Sequence, residues 1–201
     1  MNRKPHQERC LVVLKPDAVQ RSLMGEIIRR FEMAGLKFTA MKMTIPTRDQ
    51  LVEHYNKDDE WFLTKGQRIV DDLNEQGREV TKEPIEYGKE IIELMVKYMT
   101  AAPNIAMIVE GNQAVTVASK LVGSTEPATS DVGTIRGDYT LDSYGHASYE
   151  NRGVRNLVHC SESSEEAERE IAIWFDAKEI RDYITAQERI MYDIDLDGSP
   201  E

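Results

Sequence analysis

The chain reads as an α+β fold in a single domain, and three observations predict it. Short apolar runs of strand length alternate with helical stretches along the 201 residues. Capping residues and glycine or proline stops separate the runs. A 40% hydrophobic content over this length supplies one sizeable core.

Arg9-Cys10-Leu11-Val12-Val13-Leu14-Lys15 is continuously apolar, the pattern of a strand buried on both faces, and Pro16 stops it. A helix follows, with Ile27, Ile28, Phe31 and Ala34 on one face and Gly35 as its stop. In 36–44, Leu36, Phe38 and Ala40 alternate with Lys37 and Thr39, which predicts a second strand. Thr47 and Gln50 spell a capping box for a short helix through Leu51, Val52 and Tyr55. Ile105-Ala106-Met107-Ile108-Val109 is a second fully apolar strand, ended by Glu110-Gly111. Asn112 is then placed to cap a helix through Val115 and Val117 toward Leu121. The last strand is expected over 154–158, and Ser163 with Glu166 spells a capping box for a helix ending near Phe175. This succession is the βαββαβ arrangement called ferredoxin-like, with a four-stranded antiparallel sheet.

Three segments lie outside that plan. The charged stretch 64–99 reads as a helical insertion, with a helix from about Pro84 to Tyr98 carrying an apolar stripe of Ile91, Leu94, Met95 and Tyr98. A second insertion occupies 139–155 and holds Tyr144, His146, Tyr149, Arg152 and Arg155. Residues 184–201 read as an acidic tail; Asp193-Ile194-Asp195-Leu196-Asp197-Gly198 mimics the first half of a calcium loop, but too few residues follow to complete one.

A formal net charge of −11 argues against a nucleic-acid binder. A few local cations still suffice to hold a nucleotide. Cys10 and Cys160 make no disulfide framework, which fits a reducing cytoplasm. No apolar run is long enough to span a membrane, and the start from Met1 to His6 lacks a signal-peptide core, so no membrane partner is expected.

The chemistry centres on His159. It lies at an expected strand-to-helix junction, where backbone N–H groups and the helix dipole favour anions, so its imidazole is placed to attack a phosphoryl group. The plainer reading is a histidine that closes a strand against a backbone carbonyl. Without a G-x-x-x-x-G-K-[ST] or G-x-G-x-x-G loop, phosphate must be held by dispersed groups. Lys15 closes the first strand, Arg136 sits between two glycines in Gly133-Thr134-Ile135-Arg136-Gly137-Asp138, and Thr125 offers a hydroxyl in a turn before Pro127. With His159 they form a phosphoryl-transfer set.

The order of Lys15-Pro16-Asp17, His54-Tyr55, Gly133-Thr134-Ile135-Arg136-Gly137-Asp138 and Asn156-Leu157-Val158-His159-Cys160-Ser161 strongly resembles the nucleoside diphosphate kinase family. The resemblance implies ping-pong transfer of the terminal phosphate of ATP or another nucleoside triphosphate to a nucleoside diphosphate, through a phosphohistidine on His159. It also implies Mg²⁺ carried mainly by the nucleotide phosphates, with no direct protein ligand, and a homo-oligomer. It places Lys15 and Tyr55 beside the transferring phosphate, Thr125 and Arg136 on the nucleotide phosphates, and Asn156 on sugar and phosphate. It makes Glu170 the carboxylate that orients the histidine and Ser161 its neighbour, with Trp61 or Phe62 stacked on the base. Ser119 stands where the family has a second phosphate-facing arginine, and Cys160 where it has glycine. Lys120, Arg155 and above all Arg152, in a loop beside Gly153, are the expected replacements for the lost charge. The alternative is a catalytically weakened nucleotide-binding or interaction protein of the same fold.

Overall fold

The all-apolar run near the N-terminus becomes β1 (Gln7–Leu14), and Pro16, at the first helical position, turns the chain into α1 (Pro16–Gln20) and then α2 (Met24–Met33). The structure is a computed structural model that describes residues 7–198; the start from Met1 to His6 and the last three residues of the expected tail lie outside the described residues. Next come β2 (Lys37–Thr44), α3 (Arg48–His54), α4 (Asp59–Glu75) and α5 (Pro84–Met99). They are followed by β3 (Asn104–Asn112), α6 (Ala114–Val122), α7 (Ile135–Tyr139) and α8 (Tyr144–Tyr149). β4 (Val158–Cys160), α9 (Ser164–Trp174) and α10 (Ala186–Met191) complete the chain.

The strands pair in the order β2-β3-β1-β4, and every pairing is antiparallel. This is the expected ferredoxin-like α+β sheet. β1 is central, and alternation sends its side chains to opposite faces. Cys10, Val12 and Leu14 join Ile27, Phe31, Met107 and Val115 on the face covered by α2 and α6. Leu11 and Val13 join Ile108, Leu51, Val96, Ile171 and Trp174 on the face covered by α3, α5 and α9. Double coverage explains why the β1 and β3 runs contain no polar alternation.

Several local expectations are corrected. The last strand begins at Val158, not Val154, because Leu157 takes a positive φ of 65° and the Val158 N–H closes a tight turn onto the Asn156 carbonyl at 2.7 Å. His159 therefore sits within a three-residue strand, and α9 starts only at Ser164. Asn112 ends β3, and Gln113, in left-handed conformation, precedes α6. The boxes at Thr47 and Ser163 are half formed: each hydroxyl accepts the amide three residues on. The Gln50 side chain instead donates to Ile173 O, and Glu166 accepts from Glu162 N–H.

In 64–99 the structure holds most of α4 as well as α5. Asp58 caps α4 through the Trp61 amide, and Glu83 with Glu86 forms a complete capping box on α5. The two helices touch at glycines. A Cβ on Gly66 would stand 1.6 Å from Pro84 O, and one on Gly88 2.0 Å from Phe62 O. The C-terminal part is not all tail: Arg181 N–H bonds Thr39 O at the β2 edge, and Glu188 of α10 pairs with Lys37 Nζ at 2.8 Å. Lys37, read in sequence as an outward position, is buried beneath that extension and also meets Glu110 at 3.1 Å.

Candidate active site

The site is assembled where β1 and β4 end side by side. Lys15 follows β1, and its amide bonds Leu157 O at 2.8 Å, while Asp17 Oδ2 accepts the Leu157 amide at 3.3 Å. The Lys15-Pro16-Asp17 stretch thus clamps both polar groups of the turn that sets up β4. Asp17 is itself held by the Ala18 amide at 3.0 Å and by the Tyr98 hydroxyl of α5. The turn brings Asn156 Oδ1 to 2.6 Å from Lys15 Nζ, and Asn156 Nδ2 donates to Thr125 O at 2.8 Å. Lys15 is 3% exposed; burial, then the nearby Arg136 charge, pulls its ammonium down to about 7.

His159 pairs with Val13 across the sheet and so projects to the face of α3 and α9. Its Nε2 lies 3.1 Å from Glu170 Oε2, which also accepts from Ser161 Oγ at 2.6 Å. Ser161 Oγ in turn accepts the Leu11 amide at 3.2 Å. Burial pushes the Glu170 carboxyl up, but His159, through charge and hydrogen bond, outweighs it and brings the group down to about 2. Behind it, the His54 ring meets the His159 ring edge-on, with centroids 4.5 Å apart. Trp174 Nε1–H donates to His54 Nδ1 at 3.3 Å, and Glu170 Oε1 lies 3.3 Å from the same nitrogen. Burial first, then His159, holds the His54 pKa well below its ordinary value. Nε2 of His159 is thus taken by a carboxylate, and Nδ1 is the other ring nitrogen.

Arg136 is 7% exposed, and its guanidinium spans three backbone carbonyls: Asn156 O at 3.1 Å, Gly123 O at 2.9 Å and Val158 O at 2.6 Å. It therefore fastens the Gly123 turn, the Asn156 turn and β4 together while adding positive charge beside Lys15. Thr125 on that first turn is exposed. The Tyr55 ring, just after α3, is partly exposed, but its hydroxyl is buried without a hydrogen-bond partner, and burial pushes its pKa up. At the start of α4, Trp61 and Phe62 are both half-buried and meet edge-on at 5.6 Å.

The expected replacements for a charge at Ser119 fare differently. Ser119 and Lys120 are exposed on α6 and line an open groove with Ser124, Thr134 and Glu162. Arg152 is committed elsewhere: both terminal nitrogens grip Asp142, at 2.6 and 2.9 Å. A loop position leaves an arginine free only if no carboxylate is near, and Asp142, ten residues earlier, closes the loop on it. The Arg155 guanidinium stacks on the Tyr98 ring, 4.6 Å from its centroid.

The family comparison matches residues 8–70 and 83–180 to Nucleoside diphosphate kinase. The chain belongs to the nucleoside diphosphate kinase family. The match leaves 71–82, the end of α4 and the loop before α5, outside it. A nucleoside diphosphate kinase of Pyrobaculum aerophilum is 46% identical, covering 86% of this chain and 97% of that one. Another from Pyrococcus furiosus is 40% identical, covering 89% of each. Among solved structures, an NDP kinase from Pyrobaculum aerophilum superposes with a TM-score of 0.83 at 44% identity, covering 88% of this chain and all of that one. A transition-state mimic of the nucleoside diphosphate kinase from Borrelia burgdorferi, with bound vanadate and ADP, superposes with a TM-score of 0.74 at 30% identity, covering 91% and 95%. As a member of that family the chain transfers phosphate between nucleotides, and the reading as a weakened binding protein is not favoured.

Sequence reasoning missed the supporting layer. Asp17 was visible within Lys15-Pro16-Asp17 but had no assigned role, Tyr98 read only as part of an apolar stripe, and nothing linked Trp174 to His54. Each acts through a partner more than 75 residues away in sequence.

Proposed function

We propose that His159 carries the phosphate. In the first half-reaction its Nδ1 attacks the terminal phosphorus of a nucleoside triphosphate, a nitrogen–phosphorus bond forms, and the bond to the bridging oxygen breaks to release the diphosphate. In the second, a terminal oxygen of another diphosphate attacks that phosphorus and the imidazole leaves. One observation carries this reading: Glu170 takes Nε2 and leaves Nδ1 toward the site. Glu170 stabilises the positive ring that persists while phosphate is attached, and Ser161 holds Glu170. Lys15 and Tyr55 act at the transferring group, Thr125 and Arg136 at the nucleotide phosphates, and Asn156 at sugar and phosphate. Trp61 or Phe62, the half-buried aromatic pair at the start of α4, is the base platform.

The divalent ion, Mg²⁺, enters as part of the nucleotide. Asp17 and Glu170 already accept hydrogen bonds from Tyr98, Ala18, Leu157 and Ser161, which supports a metal held by phosphate oxygens. Homo-oligomer formation is supported by the edge strand β2, where Met41, Met43 and nearby Ile45 are about half exposed. Free Cys10 and Cys160 suit the reducing cytoplasm. Incubation with ATP labelled on the terminal phosphate tests the carrier. The expected label is lost in acid, survives base and is absent from His159→Ala, whose transfer activity falls to background. Comparable labelling of that variant assigns the phosphate to another residue.

A further inference from the structure

Just before His159 the chain is strained. Leu157 is 0% exposed and holds a φ of 65°, in the left-handed region that favours glycine. Such a conformation persists only where its surroundings over-determine it. Here they do. Arg136 of α7 grips the carbonyls on either side, Asn156 O at 3.1 Å and Val158 O at 2.6 Å. The Lys15 amide takes the Leu157 carbonyl at 2.8 Å, and Asp17 Oδ2 takes the Leu157 amide at 3.3 Å.

Tyr98, near the end of α5, is what that helix contributes to this clamp. Its hydroxyl donates to Asp17 Oδ1, the oxygen that also accepts the Ala18 amide at 3.0 Å, so Oδ2 is left facing Leu157. Both side chains are buried; burial, then the Asp17 charge, pushes the Tyr98 pKa up and keeps the hydroxyl a donor. The ring reaches the same segment. Arg155, the residue before Asn156, has its guanidinium 4.6 Å from the ring centroid. Lys15 Nζ lies 5.8 Å from that centroid and bonds Asn156 Oδ1 at 2.6 Å. Gly153 packs here as well, where a Cβ would stand 3.5 Å from the ring. Helix α5 is itself in close contact with α4, the helix of Trp61 and Phe62, at Gly66 and Gly88. Tyr98 thus connects the α4–α5 pair to the turn that leads into His159.

We propose that Tyr98 is a positioning residue for phosphate transfer: through Asp17 it holds the Leu157 turn, and with it Asn156 and His159, in the geometry that reacts. This rests on reading His159 as the phosphate carrier. Without the tyrosine hydroxyl, Asp17 Oδ1 is held by the Ala18 amide alone, and the carboxylate is free to turn away from the Leu157 amide. The strained turn then loses the bond on its N–H. His159 meets the terminal phosphorus out of line, while the cleft still binds nucleotide.

The test is a double-mutant cycle on the full chain with Tyr98→Phe, Asp17→Asn and the two combined, each assayed below its melting temperature. Phenylalanine keeps the ring against Arg155, Lys15 and Gly153 and removes only the hydroxyl. Asparagine keeps the shape of Asp17 but offers one oxygen, so it cannot accept from both Tyr98 and the Leu157 amide. Tyr98→Phe is expected to lower kcat for transfer from ATP to a nucleoside diphosphate about tenfold, less than the roughly 10²-fold that a misplacement of about 1 Å costs. KM and ADP affinity should stay the same, so kcat and kcat/KM fall together. The double variant should be no slower than Asp17→Asn alone, because both changes break one path. Full kcat in Tyr98→Phe overturns the proposal. A loss carried by KM or ADP affinity also overturns it, because the hydroxyl would then act on binding. Losses that compound in the double variant do the same, since they mark two independent structural contacts. Labelling by ATP is measured in parallel. If the unaltered chain transfers phosphate but takes no acid-labile label, the His159 reading falls, and the cycle still decides whether Tyr98 acts on transfer through Asp17.

Discussion

The imidazole pocket and the cleft mouth differ in which molecule completes their polar groups. Around His159, most polar groups are paired within the protein: Ser161 and His159 engage Glu170, Tyr98 and two amides engage Asp17, and Asn156 engages Lys15, while His54 Nε2 is buried without a partner. At the mouth, along the Gly123 turn and α6, Thr125, Ser119 and Lys120 are exposed. The first region is preorganised, so no reorganisation is needed when charge develops on the imidazole. In the proposed function, the second gains its order from the nucleotide. Tyr55 stands between them, with a buried hydroxyl that has no partner in the protein. Leaving such a group unpaired costs about 1–3 kcal/mol, which a phosphate oxygen would recover.

The contrast breaks most severely at Glu170. Glu170→Gln keeps the shape but removes the charge that balances the ring, and kcat is expected to fall about 10²-fold or more, because an acid that orients a catalytic imidazole contributes up to about 10⁴ elsewhere. KM should move little, since Glu170 is buried behind the histidine. The same variant carries a pH signature. The Glu170 pKa is depressed from 4.5 to about 2, so its contribution to stability is present above 4.5 and is lost as pH falls through about 2. Thermal melts across that range should show a shallower acid slope for Glu170→Gln, and an unchanged slope contradicts the pairing with His159.

A smaller effect tests how finished the pocket is at Lys15. Below about 7 its ammonium is charged in the free protein, and above it the group is mostly neutral. A bound phosphate chain raises that pKa, so nucleotide binding should take up close to one proton at about pH 8 and almost none at about pH 6. Calorimetry in buffers of different ionisation enthalpy measures this uptake, and Lys15→Arg should abolish it. Equal uptake in both proteins removes Lys15 from the phosphate site.

The mildest expected effect is at the mouth. Gly66→Ala forces a Cβ against Pro84 O, and overpacking of this kind costs about 1–3 kcal/mol. The α4–α5 pair must separate, so KM for nucleotide should rise more than kcat falls, together with a modest drop in melting temperature. A kcat loss with constant KM would show that the α4–α5 pair acts on the chemistry and not on binding.

The four-stranded sheet and a candidate phosphoryl-transfer set were legible in the order of residues alone. β1 and β3 were legible because burial on both faces leaves an unbroken apolar run. Lys15, Thr125, Arg136 and His159 stood out because phosphoryl transfer calls for a nucleophile, cations and a hydroxyl, and Asn156 came from the resemblance to the family. The rest depends on partners distant along the chain. Strand β4 is short because Lys15 and Asp17 hold the turn at Leu157, 140 residues away from Asp17. Lys37 is buried because residues near α10 fold back over β2. Arg152, free by its local sequence, is captured by Asp142, and α4 pairs with α5 through close backbone contacts at Gly66 and Gly88. Periodicity records how each segment faces the core, whereas a hydrogen bond between remote segments leaves no periodic trace in either of them.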